Sequence, residues 1–271
     1  MHNKLIFSVV LYRHNIFDIA PLLSSIKLLA DTVEKLEVRF AVYNATHDFF
    51  ECSSSLLDEY LTPKVITYYS YGSNIGFGSA NNFNFSLTAP SPDELFIVVN
   101  PDISFDPQGL LPLLAWIQSH PLCSCVAPLI TNPNGQVQFS AKHNPTFFSL
   151  LIGRFPSLTC FKFCSDYDIF HRNLFLDYAN DLIPCSYLSG CFLIVPSRYF
   201  SAVGGFCQNY FLHLEDADLV RRLSLVGETF HNPDGVIHHR WARGSHKSFL
   251  QMLHLLRSFV AYSFIWGFRL C

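Results

Sequence analysis

The chain has 271 residues, half of them apolar and 14% charged, with a formal net charge of −3. This length and composition supply a substantial core and exclude intrinsic disorder, and the near balance of charge gives no electrostatic reason to expect a nucleic acid partner. The nine cysteines are odd in number and neither close pair, Cys123/Cys125 or Cys160/Cys164, has zinc-ribbon spacing, so a reduced, cytoplasmic chain is expected.

In chain order, the apolar run at 5–11 predicts a strand rather than a signal peptide, because Arg13 and His14 interrupt it and no small-residue cleavage site follows. A helix over 18–36, strands over 38–43 and 64–69, and a helix over 77–87 come next. The unbroken apolar run at 95–99 predicts a strand buried on both faces. A helix over 108–119 precedes a turn at 132–135, after which 143–188 is aromatic-rich and lacks a clean period. Regularity resumes with a strand over 187–195 and a helix over 214–226 that places Leu219, Leu223 and Val226 on one face before Gly227 stops it.

Short β runs alternating with helices predict an α/β fold with a mostly parallel central sheet flanked by helices, occupying 1–245, and a C-terminal helical and aromatic appendage at 246–271. Within the appendage, 249–268 is broken by Gln251, His254, Arg257 and Ser258. It falls short of the roughly 18 to 20 apolar residues that span a bilayer, so a helix lying on protein or on a membrane surface is expected.

The tripeptide Asn-Pro-Asp occurs twice. At 232–234 it runs into Gly235, and a type I turn explains it. At 100–102 it ends the buried strand, where open α/β sheets bind ligands. Asp102 is there placed to hold Mn²⁺ or Mg²⁺ against a diphosphate, since such a cation takes few protein carboxylates and leaves positions to phosphate and water; a plain turn is the competing reading. Asn74, Gly76, Phe77, Gly78 and Asn82 open a helix where small residues let the backbone approach a ligand. Ser189-Gly190 precedes an apolar run and by itself suggests only a bulge. Glu215, Asp216 and Asp218 crowd the first turn of a helix; one acid there is explained by the helix dipole, but three repel one another and favour a shifted carboxylate able to act as a base.

Together, and in this order, these motifs resemble the inverting family 2 glycosyltransferases of the GT-A fold, particularly the bacterial rhamnosyltransferase-like branch. The likeness runs over about residues 5 to 248 and includes Gly204 to Phe206 and the sequence Glu-Asp-x-Asp-Leu at 215–219. The resemblance implies that Asp216 deprotonates an acceptor hydroxyl, with Glu215 beside it. It implies a donor site formed by Tyr12, Asn44, Asn74, Gly76, Phe77, Asn82, Asn100, Asp102 and Arg243, and an acceptor side formed by Ser189, Gly190 and Glu215. It also implies a metal site of Asp102 with a histidine beyond the helix, and counting back from Ser245 favours His239 over His238. Neighbouring strand residues face opposite ways, so only one of the two enters the site. The family usually has Asp-Asn after the second strand; Tyr43-Asn44 stands there instead, which leaves recognition of the base to stacking, to Asn44 or to the backbone.

The implied partners are a nucleotide-diphosphate sugar, with dTDP or UDP as nucleotide and rhamnose as a candidate sugar, and a saccharide or lipid-linked saccharide acceptor in surface polysaccharide synthesis. Peripheral contact with the inner membrane and a homo-oligomer are compatible with this. The alternative is a non-catalytic sugar-nucleotide-binding or scaffold protein on the same fold. A nucleotidyltransferase is disfavoured because residues 12–16 contain no glycine and so no loop to cradle a triphosphate.

Overall fold

In the computed structural model the described residues are 4–12, 14, 16–43, 66–71, 74–87, 90–240 and 249–271. The sheet begins with four parallel strands, β1 (Leu5–Tyr12), β2 (Leu36–Tyr43), β3 (Ile66–Tyr71) and β4 (Leu95–Val99), in the spatial order β3-β2-β1-β4. Helices α1 (Ile16–Ala30) and α2 (Phe77–Ser86) belong to this half. β10 (Phe192–Pro196) lies antiparallel beside β4 and carries the sheet on to β6 (Cys123–Thr131) and β11 (Glu228–His239), which are parallel to each other. The short β5 (Ile103–Ser104) closes the order on the far side of β11.

Alternate residues of the central strands feed two separate cores, as a period of two requires. Phe7 and Ile97 pack with Leu22 and Ile26 of α1, and with Leu113 of α3 (Pro107–Ser119). Ile6 and Phe96 point the other way, to Phe200 of α6 (Ser197–Ala202) and Leu219 of α7 (Glu215–Leu223).

The 143–188 region is more regular than its sequence pattern predicts. It contains β7 (Ala141–Lys142) at its edge, then α4 (Phe147–Arg154), a short 3-10 helix (Pro156–Cys160), α5 (Lys162–His171), β8 (Ile183–Pro184) and β9 (Tyr187–Leu188). Thr146 starts α4 with a capping box, exchanging hydrogen bonds with Ser149, and these helices are too short to display a period. The strand expected over 187–195 is divided: β9 pairs with β7, strand pairing lapses at 189–191, and β10 then enters the main sheet.

The second Asn-Pro-Asp is not a strand-ending turn. It lies within β11, where the pairing with β6 shifts register between Asn232 and Val236. The Asn232 side chain accepts from the Asp234 amide at 2.8 Å, so the turn chemistry forms a bulge inside a continuing strand.

The C-terminal appendage is α8 (Phe249–Trp266), and it packs into the domain. Phe259 and Tyr262 share a core with Tyr210, Leu214 and Ala217. Trp266 donates its indole N–H to Asp218 at 2.8 Å, and Ser258 donates to the Leu212 carbonyl at 2.8 Å. No described helix is long and apolar enough to cross a membrane.

Candidate active site

Asp102 follows β4 and precedes β5. Because β5 pairs with the last residues of β11, His239 is set opposite Ile103, and the Arg240 amide donates to the Asp102 carbonyl at 3.1 Å. This brings the His239 Nε2 to 3.3 Å from the Asp102 Oδ1. On the other edge of the ring, Nδ1 lies 2.9 Å from the Gln138 Oε1, and the Gln138 amide donates to the His239 carbonyl at 2.9 Å. A carbonyl oxygen can only accept, so Nδ1 carries the hydrogen, and in the neutral ring Nε2 presents its lone pair towards Asp102. His238 points away: it is exposed and meets the Thr131 hydroxyl at 2.8 Å.

Charge follows the geometry. Burial works against both partners, but for His239 it is outweighed by Asp102 and by the Cys191 thiol, which hold the imidazolium up to about 10. For Asp102, too, burial is overcome by the hydrogen bond and charge of His239, leaving its carboxyl below the usual range. The pair is thus an ion pair when no cation is bound, with an imidazole nitrogen and a carboxylate oxygen converging on one point. Among the described residues no group of three or more His, Cys, Asp or Glu side chains is placed to hold a metal ion. A divalent cation there would draw its remaining ligands from phosphate and water, which suits a small oxygen-seeking ion.

Asp216 stands on the other side of a two-residue bridge. The Gly190 amide donates to its Oδ2 at 2.9 Å, and the Ala217 amide donates to its Oδ1 at 2.8 Å. The next residue, Cys191, accepts from the Asn100 amide at 2.9 Å through its carbonyl. The dipeptide Gly190-Cys191 therefore touches the surroundings of both acids. Gly190 is required by proximity: a Cβ there would lie 2.8 Å from the Asp216 Cβ. Ser189 anchors the same segment through its amide, which donates to the Ser140 carbonyl at 3.1 Å.

Glu215 is buried, and its Oε2 has no hydrogen-bond partner. Burial, then the neighbouring Asp216 charge, pushes its carboxyl well above the usual range. Immediately before it, His213 and Leu214 have φ of 70° and 65°, a left-handed pair without glycine. Such conformations cost about 1 to 3 kcal/mol each and persist where surrounding structure enforces them.

The Asn-x-Gly-Phe turn lies against this same loop. Gly76 has φ of 90°, a Cβ on it would meet the Phe211 carbonyl oxygen at 2.6 Å, and the Phe77 amide donates to that carbonyl at 3.3 Å. Asn74 closes the turn by accepting from the Gly76 amide at 2.8 Å. Asn82 holds a neighbouring loop. Its Oδ1 accepts from the Phe206 amide and its Nδ2 donates to the Phe206 carbonyl, each at 2.7 Å, so it clamps the Gly204–Phe206 loop. Tyr12, exposed at the end of β1, and Asn100, at the end of β4, lie at the carboxyl edge of the parallel strands. Asn44 and Arg243 lie outside the described residues.

Three participants were not anticipated from the sequence. Gln138 hydrogen-bonds the His239 ring, Cys191 accepts from the Asn100 amide beside Asp102, and burial lowers the pKa of the half-buried Lys142 against the opposing charge of Asp216. The Lys142 ammonium sits 5.2 Å over the Tyr187 ring. None of these has a local motif; each arrives through pairing between distant segments.

The strand order, with acids at its carboxyl edge, is that of the GT-A fold. In sequence the chain is similar to rhamnosyltransferases. It is 30% identical over 179 residues to the N-acetylglucosaminyl-diphospho-decaprenol L-rhamnosyltransferase of Mycobacterium tuberculosis, covering 62% of this chain and 57% of that one. It is 26% identical over 168 residues to Rhamnosyltransferase WbbL of Escherichia coli (strain K12), covering 60% of each. The chain thus matches less than two thirds of the length of these curated relatives. No family model matches. Among solved structures, the mannosyltransferase PcManGT of Pyrobaculum calidifontis, in complex with GDP-Man and Mn²⁺, superposes with a TM-score of 0.64 at 12% identity, over 97% of this chain and 65% of that one. GalNAc-T7, solved with UDP, GalNAc and Mn²⁺, gives 0.62 at 14% identity, over 98% and 49%. These likenesses establish the fold.

Proposed function

We propose that the protein transfers a sugar, rhamnose being the favoured one, from a dTDP- or UDP-linked donor to a lipid-linked saccharide during bacterial surface polysaccharide synthesis, with inversion at the anomeric carbon. The observation that carries this reading is the bridge Gly190-Cys191, whose Gly190 amide donates to Asp216 and whose Cys191 carbonyl accepts from the amide of Asn100, two residues before Asp102. The names of the curated relatives support the choice of rhamnose and of a lipid-linked acceptor.

In this reading the donor lies along the carboxyl edge of β1 and β4, against Tyr12, the Asn74–Phe77 turn and Asn100, while the acceptor meets Ser189 and Gly190. Asp102 and His239 would hold Mn²⁺ or Mg²⁺, which when bound neutralises charge gathering on the departing diphosphate. Asp216 takes the proton from the acceptor hydroxyl as its oxygen attacks the anomeric carbon from the face opposite the nucleotide. Hydrogen bonds from Gly190 and Ala217 orient that carboxylate, and general-base assistance of this kind contributes about 10²- to 10⁴-fold. Glu215, kept protonated beside it, prevents a second negative charge from accumulating next to the base.

The reading is tested by donor turnover and transfer with and without Mn²⁺. Asp102→Ala should weaken nucleotide binding measured by thermal shift with cation present, whereas Asp216→Asn should keep nucleotide binding and lose transfer by about 10²-fold or more. Equal transfer by Asp216→Asn and the unaltered protein would remove Asp216 from the mechanism.

A further inference from the structure

α8 is apolar on both sides. Phe259 and Tyr262 face inward and are buried, but Leu250, Leu253, Val260 and Phe264, most of them spaced three or four residues apart, form an outward ridge on which Phe264 is 87% exposed. A helix that is hydrophobic all round belongs in an environment that covers all of it. The ridge does not end with the helix. The Phe147 and Phe148 amides donate to the Arg269 and Leu270 carbonyls at 3.0 Å, and the Phe148 ring lies 5.4 Å from that of Phe163. This joins the C-terminal segment to the 3-10 helix and α5, where Phe161 and Phe163 are 63% and 67% exposed.

The charge of the C-terminal segment is one-sided. Residues 249–271 contain Arg257 and Arg269 and no acidic side chain; in the adjoining segment Arg154 and Lys162 are followed on α5 by Asp166 and by Asp168, which pairs with Arg172 at 3.0 Å. The chain as a whole has more acidic residues than basic, 21 against 18, so the acid-free cationic C-terminal segment around exposed apolar side chains is a local property. Two copies of the chain meeting through α8 about a twofold axis would set arginines against arginines with no acid in 249–271 to pair them. A bilayer carrying anionic headgroups satisfies both features at once: its acyl boundary takes the apolar ridge and its phosphates take the arginines and lysine.

We propose that α8 and the adjoining aromatic segment dock the protein on an anionic membrane surface. α8 is tied by Trp266 to Asp218 and by Ser258 to Leu212, and these flank Asp216, so docking would set the acceptor side of the site near the lipid. That last step rests on the transferase reading; the docking itself does not.

Sedimentation with vesicles tests it. The unaltered protein should pellet with phosphatidylglycerol/phosphatidylethanolamine vesicles, and much less with phosphatidylcholine vesicles or in high salt. Val260→Glu with Phe264→Glu should lower the partition coefficient by about tenfold or more, and Arg257→Glu should reduce the preference for anionic lipid. Melting temperatures identify any variant that misfolds, and Leu253→Ser provides a milder change on the same ridge. Pelleting no greater with anionic than with neutral vesicles overturns the proposal, as does pelleting unaffected in folded variants, or a dimer broken by Phe264→Glu in a protein that ignores vesicles. Vesicle binding without nucleotide-sugar turnover would sink the transferase reading and leave the surface standing. Turnover without vesicle binding would do the reverse.

Discussion

Gly190 sets the position of the proposed base's carboxylate by having no side chain. Gly190→Ala forces a Cβ to within 2.8 Å of the Asp216 Cβ, so Asp216 must move. Displacement of a reacting group by about 1 Å can cost about 10²-fold, so transfer should fall by that order while nucleotide binding, read by thermal shift, is retained. Glu215 leads to a prediction about pH. Its carboxyl is raised in the folded protein above its ordinary value of 4.5, by burial and then by Asp216. The native state therefore binds more protons than the unfolded state as pH climbs above that value, and stability falls with rising pH. Glu215→Gln should flatten this fall, giving the variant a relative gain in melting temperature between about pH 5 and about pH 8; an unchanged pH profile would contradict the buried, protonated state. Asp102 and Asp216 were legible in the sequence because each sits in a motif next to a predictable strand end or helix start. Gln138 and Cys191 were not, since Gln138 lies far from His239 in the chain and meets it only once β11 has paired across the sheet.

At the scale of elements, α7 is held from both ends. Its first residues carry Asp216, and further along Asp218 receives the Trp266 indole and pairs with Arg222 at 2.7 Å. Trp266→Ala removes one donor from a buried carboxylate and part of the α8 contact. A loss of about 2 kcal/mol in urea unfolding is expected, in line with hydrogen bonds to charged groups, together with reduced transfer. The alternating strands and helices of the first half were readable from apolar runs and turn residues, with boundaries displaced by a few positions: the helix expected over 18–36 ends at Ala30, because Leu36 already belongs to β2. The 143–188 region was unreadable because short capped helices with exposed aromatics have no periodicity to recognise. The bulge in β11 was misjudged because turn chemistry says how the backbone bends, not whether pairing continues afterwards.

For the whole molecule, the strands at the centre of the sheet have their neighbours supplied by distant parts of the chain, β1 from the beginning and β10 from after residue 190. Every residue of β4 and β10 is buried. Amide exchange should be slowest in 95–99 and 192–195, near the global unfolding limit, and faster in the short helices of 147–171; the opposite ranking would place the cooperative core elsewhere. β10 runs against β4, and this reversal has a further outcome. A strand that enters where its neighbour leaves delivers its preceding loop to the rim from which Asp102 projects. Residues up to 104 supply β1 to β5 and the segment from 123 onward supplies β6 to β11, and the two meet twice, where β10 pairs with β4 and where β5 pairs with β11. On the proposed transferase reading, exchange of 141–188 with the corresponding stretch of a relative should change the accepted sugar while nucleotide binding beside Asp102 is kept.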